Sequence, residues 1–291
     1  MPIAKLDAGP IAYIDTGDAL PAVVLVGGLA IGPSLWHAVI EDLRTDFRCI
    51  VPTLPWGAHP HPMNPRTDLS LSGQVRILAD FIEHLDLDGI TLVEVDSAMA
   101  QILVTTRPEL IERVVLCSCE TSDNYPPGLP GRCAALAARI PGGVYFAMQQ
   151  MRFRAFRRSR FGFGRMAKRP IPDELVDEWI APALADRAVR RDLAKYQRSG
   201  RDSRQDLEQA SEGLGSFSRP VLVIWASEDR VMPIDSGRKL AGAFSSVRFV
   251  AIEDSYTLIP LDQPRRLATE IRTFIGETRP SVTPSRILER P

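Results

Sequence analysis

The chain has 291 residues, of which 45% are hydrophobic and 24% charged, with a formal net charge of −1. Such a length suits one large α/β domain, or one with an inserted cap, and allows about 75% of the unfolded surface to be buried. The near-neutral balance gives no reason to expect nucleic acid as a partner. No stretch approaches the roughly 20 apolar residues of a membrane span, so no membrane partner is expected.

In chain order, two short segments near 2–6 and 10–15 predict an antiparallel start to a sheet. "PAVVLVGG" (21–28) is a β-branched run closed by two glycines, the pattern of a buried strand. Helical spacing follows in "SLWHAVIEDLRTD", then a strand over 47–53 and a long amphipathic helix over 69–87. "GITLVEVD" (89–96) predicts a third buried strand, running into the helix "AMAQILVTTRP". "IERVVLCSC" (111–119) predicts a fourth strand. This alternation argues for βαβ units and a mostly parallel, twisted sheet flanked by helices.

At about residue 120 the alternation stops. Residues 120–216 read as a helical insertion, and "RPVLVIWASED" (219–229) resumes the sheet. A helix near 234–243, a strand over 247–254 and a helix over 263–276 complete it. The expected organisation is a core of 1–119 and 217–276, a helical cap of 120–216, and a loose tail of 277–291. Four cysteines, Cys49, Cys117, Cys119 and Cys133, have no metal-ligand spacing and read as buried thiols of a cytoplasmic protein. The N-terminal stretch lacks the apolar run of a signal peptide. No feature of the sequence calls for a metal or another cofactor.

In open α/β sheets, ligands bind beyond the carboxyl ends of the strands, so the residues just after each strand are the site candidates. There the chain carries Gly27-Gly28, "TLPWGAH" (53–59), Glu94-Val95-Asp96-Ser97-Ala98, "WASEDRVMP" and "DSYTLIPLDQP". With Trp36 in the first helix, these stretches resemble the α/β-hydrolase superfamily over about 20–276. The resemblance is to its cap-bearing branch of haloalkane dehalogenases and epoxide hydrolases in particular. It implies a nucleophile elbow at Asp96, a triad acid at Asp229, and a catalytic-histidine slot that falls on Thr257, or on Tyr256 with a one-residue shift. It also implies an oxyanion hole from the amides after Gly28, at Leu29, and of Ser97. The usual elbow glycines are absent, and so is the histidine. The slots that hold halide-binding side chains in the dehalogenases carry Leu29 and Ser97, which cannot serve, so dehalogenation is not expected.

Asp96 is the first candidate for nucleophile or general base. Glu94 takes the nucleophile position on an alternative register, and Ser97 is a third candidate. Against all this stands a plain helix N-cap, where Asp and Ser are favoured. A serine nucleophile needs an adjacent base; an aspartate can attack unaided, but hydrolysing the resulting ester needs one. Of the four histidines, only His59 and His61 lie at the sheet edge, and His59 is the preferred base. The alternative for both is a proline-rich loop with incidental histidines. Glu120 is a second-choice acid. Tyr256 is a candidate hydroxyl donor, or a buried tyrosine with a hydrogen-bond partner.

The run "MRFRAFRRSRFGFGRMAKRP" (151–170) has eight Arg or Lys and no acid. It suggests either a cationic mouth for an anionic ligand or a solvated helix face anchored by its Phe side chains. The expected function is a hydrolase-fold enzyme with a non-standard site, acting on a small organic substrate by hydrolysis, elimination or cyclisation. The alternatives are a catalytically inactive ligand-binding protein and, more weakly, a partner-binding role for the basic segment.

Overall fold

The computed structural model of the chain describes residues 1–17 and 19–278. Eight strands form one sheet: β1 (Ile3–Leu6), β2 (Gly9–Asp15), β3 (Ala22–Val26), β4 (Arg48–Pro52), β5 (Ile90–Val95), β6 (Ile111–Cys117), β7 (Val221–Ala226) and β8 (Val247–Ile252). Their order is β1-β2-β4-β3-β5-β6-β7-β8. The pairs β1–β2 and β2–β4 are antiparallel and all others are parallel. Strands β5 and β7 are buried along their whole length. Helices cover both faces of a parallel sheet, which is why these strands are continuous apolar runs rather than alternating ones.

The core helices are α1 (His37–Leu43), α2 (Leu71–His84) and α3 (Met99–Thr106) before the insertion. In α2, Leu71, Val75, Leu78 and Ile82 recur at helical spacing and are buried, and Ser70 caps its start by accepting from the Gly73 amide at 3.1 Å. The helix expected from Ser34 divides: Pro33–Trp36 is a 3₁₀ turn and only then does α1 begin. Between β6 and β7 lie α4 (Gly128–Arg139), α5 (Gly143–Gln150), α6 (Arg154–Arg157), α7 (Asp173–Ala185), α8 (Arg187–Arg198) and α9 (Gly200–Gly213). The chain closes with α10 (Ile234–Gly242), α11 (Ile259–Asp262) and α12 (Pro264–Glu277).

The first two residues of the predicted tail, Glu277 and Thr278, are ordered against the core. Glu277 ends α12, and the Arg113 guanidinium holds Thr278 by bonds of 2.6 Å to its hydroxyl and 2.9 Å to its carbonyl. The remainder of the predicted tail, 279–291, lies outside the described residues. Among the described residues no helix is long and apolar enough to cross a membrane.

Candidate active site

Strand β5 ends at Val95, and the next residue, Asp96, has φ +56°. A non-glycine residue in this left-handed region is strained, and a strained residue between a strand and a helix is the geometry of a nucleophile elbow. Close packing holds the turn. A Cβ on Gly28 would overlap the Asp96 carboxyl and carbonyl, so only glycine lets the β3 loop pass there. The Asp96 amide donates to the Ser118 carbonyl beyond β6 at 3.3 Å.

Glu94, fully buried on β5, takes a different role. Its Oε2 accepts from the Ala100 amide in the first turn of α3, while Oε1 has no partner. Ala98, the residue at the helix cap position, has no side chain to do this, so Glu94 satisfies the helix start from within the strand. Burial raises its carboxyl to about 7, against the pull of the Ala100 amide. Ser97 also acts on the helix: its Oγ accepts from the Met99 amide at 3.3 Å. Neither side chain lines the cavity described below; Ser97 bonds as its helix-cap alternative expects, and Glu94, for which no cap was expected, serves the same helix start.

Asp229 follows β7. Its Oδ1 accepts from the Val231 amide (2.9 Å), the Met232 amide (2.8 Å) and the Thr257 hydroxyl (2.8 Å), and its Oδ2 has no partner. Burial raises this carboxyl to about 6, with the two amides and Thr257 opposing. Thr257 is fully buried and occupies the place beside the acid where the resemblance sets a histidine. Tyr256 points elsewhere. Arg230 stacks over its ring at 4.6 Å, its amide donates to Asp262 Oδ2 at 3.0 Å, and it does not line the cavity.

The preferred base, His59, is not brought to the site. It is buried with Nδ1 accepting from the Gly57 amide at 3.2 Å and Nε2 3.5 Å from Asp192 Oδ2 on α8. Its ring therefore joins the β4 loop to the insertion. His61 does not line the cavity either, and His37 and His84 are exposed.

A cavity of about 180 Å³ lies between the carboxyl edge of the sheet and the inserted helices. Leu29, Trp56, Asp96, Glu120 and Val231 form its floor, each placed just beyond the end of a strand. Its roof comes from the insertion, including Met148, Phe163 and Tyr196. Trp56 stacks on Tyr196 with ring centroids 5.7 Å apart.

Two acids thus face an apolar chamber. Asp96 is held well above the usual carboxylate range by burial, then by the nearby Asp229 and Glu94. Glu120 is raised by burial, then by Asp96 and Glu94. Removing a carboxylate from water without a cation disfavours its charged form, so both groups favour the protonated acid. No protein hydrogen bond to the Asp96 carboxyl occurs among the described residues. The Tyr125 and Tyr196 phenols, also in the wall, interact with each other and stay protonated because burial raises both. Among the described residues no three His, Cys, Asp or Glu side chains are arranged to hold a metal ion.

Of the two readings of the basic segment, the cationic mouth is not seen at this cavity, which no Arg or Lys lines. Arg157 is buried against Asp173 and Asp177, Arg154 and Arg158 pair with Asp173, and Lys168 and Arg169 pair with Asp254. The segment gives the cavity its apolar side instead, through Met151, Phe156 and Phe163.

Sequence reasoning did not single out Trp56, Tyr196 or Asp192. Trp56 had a signal, being an aromatic directly after β4. Asp192 had one too: it shares a helical face with Val189, Leu193 and Tyr196, all buried. Tyr196 shares that face, but no strand end sets the register of the inserted helices, so nothing in the sequence set it against Trp56.

Residues 21–264 match the family model of the alpha/beta hydrolase fold, and the chain belongs to that family. It is 23% identical over 275 residues to an uncharacterised protein of Mycobacterium tuberculosis, covering 90% of this chain and 77% of the relative. It is also 23% identical over 234 residues to a 2-hydroxy-6-oxononadienedioate/2-hydroxy-6-oxononatrienedioate hydrolase of Cupriavidus pinatubonensis, covering 78% and 76%. Among solved structures, a putative ancestral haloalkane dehalogenase superposes with a TM-score of 0.77 at 21% identity, covering 96% of this chain and 99% of that one. At that identity the likeness shows the fold.

Proposed function

We propose that the protein binds a small, uncharged organic molecule under helices α4–α9, which act as a cap, and transforms it by proton transfer from the Asp96 carboxyl. The observation that carries this reading is the setting of Asp96: its backbone strained, its carboxyl buried without a protein hydrogen bond among the described residues, facing an apolar cavity, and raised above the usual carboxylate range by burial. A carboxylic acid kept neutral in an apolar site can donate a hydrogen bond or a proton to an oxygen as charge develops on it. The carboxylate left on Asp96 takes a proton back from the substrate, so donation and return balance, and Glu120, the second acid in the wall and also favouring its protonated form, is a second hydrogen-bond donor. Proton transfer to and from one substrate suits isomerisation, elimination or ring closure; hydrolysing an ester on Asp96 would need a separate base for water, and among the described residues no histidine lines the cavity.

The relative's name describes a hydrolase of a dioate, but that substrate class does not suit this cavity. Two carboxylates would enter a chamber that already holds two acids and no cation. A volume of about 180 Å³ is near that of an engineered apolar cavity that admits benzene, ~150 Å³, so a ligand of one ring or a short branched chain fits.

The test is turnover of a panel of neutral lactones, enones and hydroxyketones by the wild type and by Asp96→Asn. A loss of ~10²–10⁴-fold in Asp96→Asn is expected, with wild-type activity falling on the alkaline side as the acid loses its proton. Unchanged turnover in Asp96→Asn rejects the reading. The presence of Thr257 rather than an imidazole on Asp229 favours a second reading, an inactive binding protein. Ligand-induced thermal stabilisation that is equal in both proteins, without turnover by either, would establish it.

A further inference from the structure

Between Asn124 and Pro172 the chain has ten Arg or Lys and no Asp or Glu, although the whole chain has a net charge of −1. Half of these cations are held in the ion pairs described above or in the related pair of Lys168 with Glu228. The other five, Arg132, Arg139, Arg152, Arg160 and Arg165, have no carboxylate partner among the described residues. Interleaved with them are six of the exposed large apolar side chains among the described residues. Leu136 and Ile140 lie one turn apart at the end of α4, Tyr145 and Phe146 at the start of α5, and Phe153 and Phe161 just beyond it. Phe146 is 65% exposed, Phe153 62% and Leu136 60%.

The helices divide their faces. Cys133, Ala134, Ala147 and Met148 turn into the cavity while Leu136, Ile140 and Phe146 turn to solvent. Phe161 belongs to both, exposed at the surface and part of the cavity wall. Exposed Phe, Tyr, Leu and Ile set among unpaired arginines, with no acid, have the composition of a surface that lies in a lipid interface. Apolar side chains enter the acyl boundary while arginines meet anionic headgroups. A second copy is a poor occupant, because a two-fold contact would set this surface against itself and bring like charges together.

We propose that the α4–α5 corner and the segment through Phe161 form a peripheral docking surface for anionic lipid bilayers. Crossing a membrane is not involved. Docking there sets the Phe161 side of the cavity against the bilayer, so that an apolar ligand dissolved in it enters without passing through water. The docking surface does not depend on the chemistry assigned to Asp96.

The experiment is co-sedimentation of the full chain with phosphatidylcholine vesicles, with and without about 30% phosphatidylglycerol. Binding to the anionic vesicles is expected, with little to pure phosphatidylcholine and strong weakening in about 0.5 M salt. Arg139→Ala with Arg152→Ala should reduce binding about 30-fold, and Phe146→Ser with Phe153→Ser should reduce it as well, both with unchanged melting temperature. No sedimentation with anionic vesicles at low salt overturns the proposal, as does binding that both double variants leave intact. A dimer in sedimentation velocity that Phe146→Ser dissociates, without vesicle binding, assigns the surface to a second copy and overturns it too.

Discussion

Asp229 shows how little of a residue's role follows from its identity. All three of its hydrogen bonds fall on Oδ1, and Oδ2 is buried without a partner. An asparagine can keep its oxygen on the same three donors and remove the buried charge. Asp229→Asn should therefore raise the melting temperature at pH 8 relative to wild type, by up to about 3 kcal/mol of stability, and make little difference near pH 3. A melting temperature lowered at pH 8 would mean that the charge is used, as in a working triad. Asp96 differs in having no donor to lose, which is why its substitution is expected to show in turnover.

At the scale of elements, two joints matter. The first is β5 to α3, where Glu94 supplies the cap that Ala98 lacks. Glu94→Gln keeps an acceptor for the Ala100 amide, whereas Glu94→Ala leaves that amide buried and unpaired. A cost of about 1–3 kcal/mol is expected for the alanine variant in denaturant melts, and little or none for the glutamine. Equal losses in both would make the charge, rather than the cap, the stabilising feature. The second joint is between the β4 loop and α8. Asp192 is fully buried and accepts from the Met63 amide at 2.7 Å and from Arg191 at 2.8 Å, with His59 opposite. Asp192→Ala strands these donors, so about 2–4 kcal/mol should be lost. Amide exchange should then rise in both 55–63 and 187–198; a rise confined to α8 would show that the pair does not tie the two together.

Across the whole molecule, buried acids without cations set the pH dependence of stability. Asp229 and Glu94 are raised to about 6 and about 7 from 3.8 and 4.5. Below about pH 3 both groups are largely protonated, folded or unfolded. Between there and pH 7 the unfolded chain releases these protons while the folded chain retains them, so stability falls as pH rises. Above pH 7 the loss is complete, about 3 kcal/mol for each group. Asp96 and Glu120, raised by the same burial, act in the same direction. Thermal melts should show the protein more stable at pH 5 than at pH 8. The opposite order would mean that these acids are charged in the folded state.

The sheet was legible in the sequence because a buried parallel strand must be a continuous apolar run, and a crossover helix must carry an apolar stripe. Runs such as "PAVVLVGG" and "RPVLVIWASED" satisfy that rule locally, so strands, order of elements and the sites just beyond the strands could be read in one dimension. Asp96, Glu120 and Leu29, which line the cavity, were singled out on that account. Their partners were not, because a contact between distant segments leaves no local pattern. His59 looks like a base in the sequence, and only its packing against Asp192, 133 residues further along the chain, makes it a joint instead. The basic segment looks like an anion mouth, and only the ion pairs and the inward turn of Met151, Phe156 and Phe163 make it an apolar wall. Charge, too, is a tertiary property: an aspartate is an anion in the sequence, but burial without a cation shifts Asp96 towards its neutral acid.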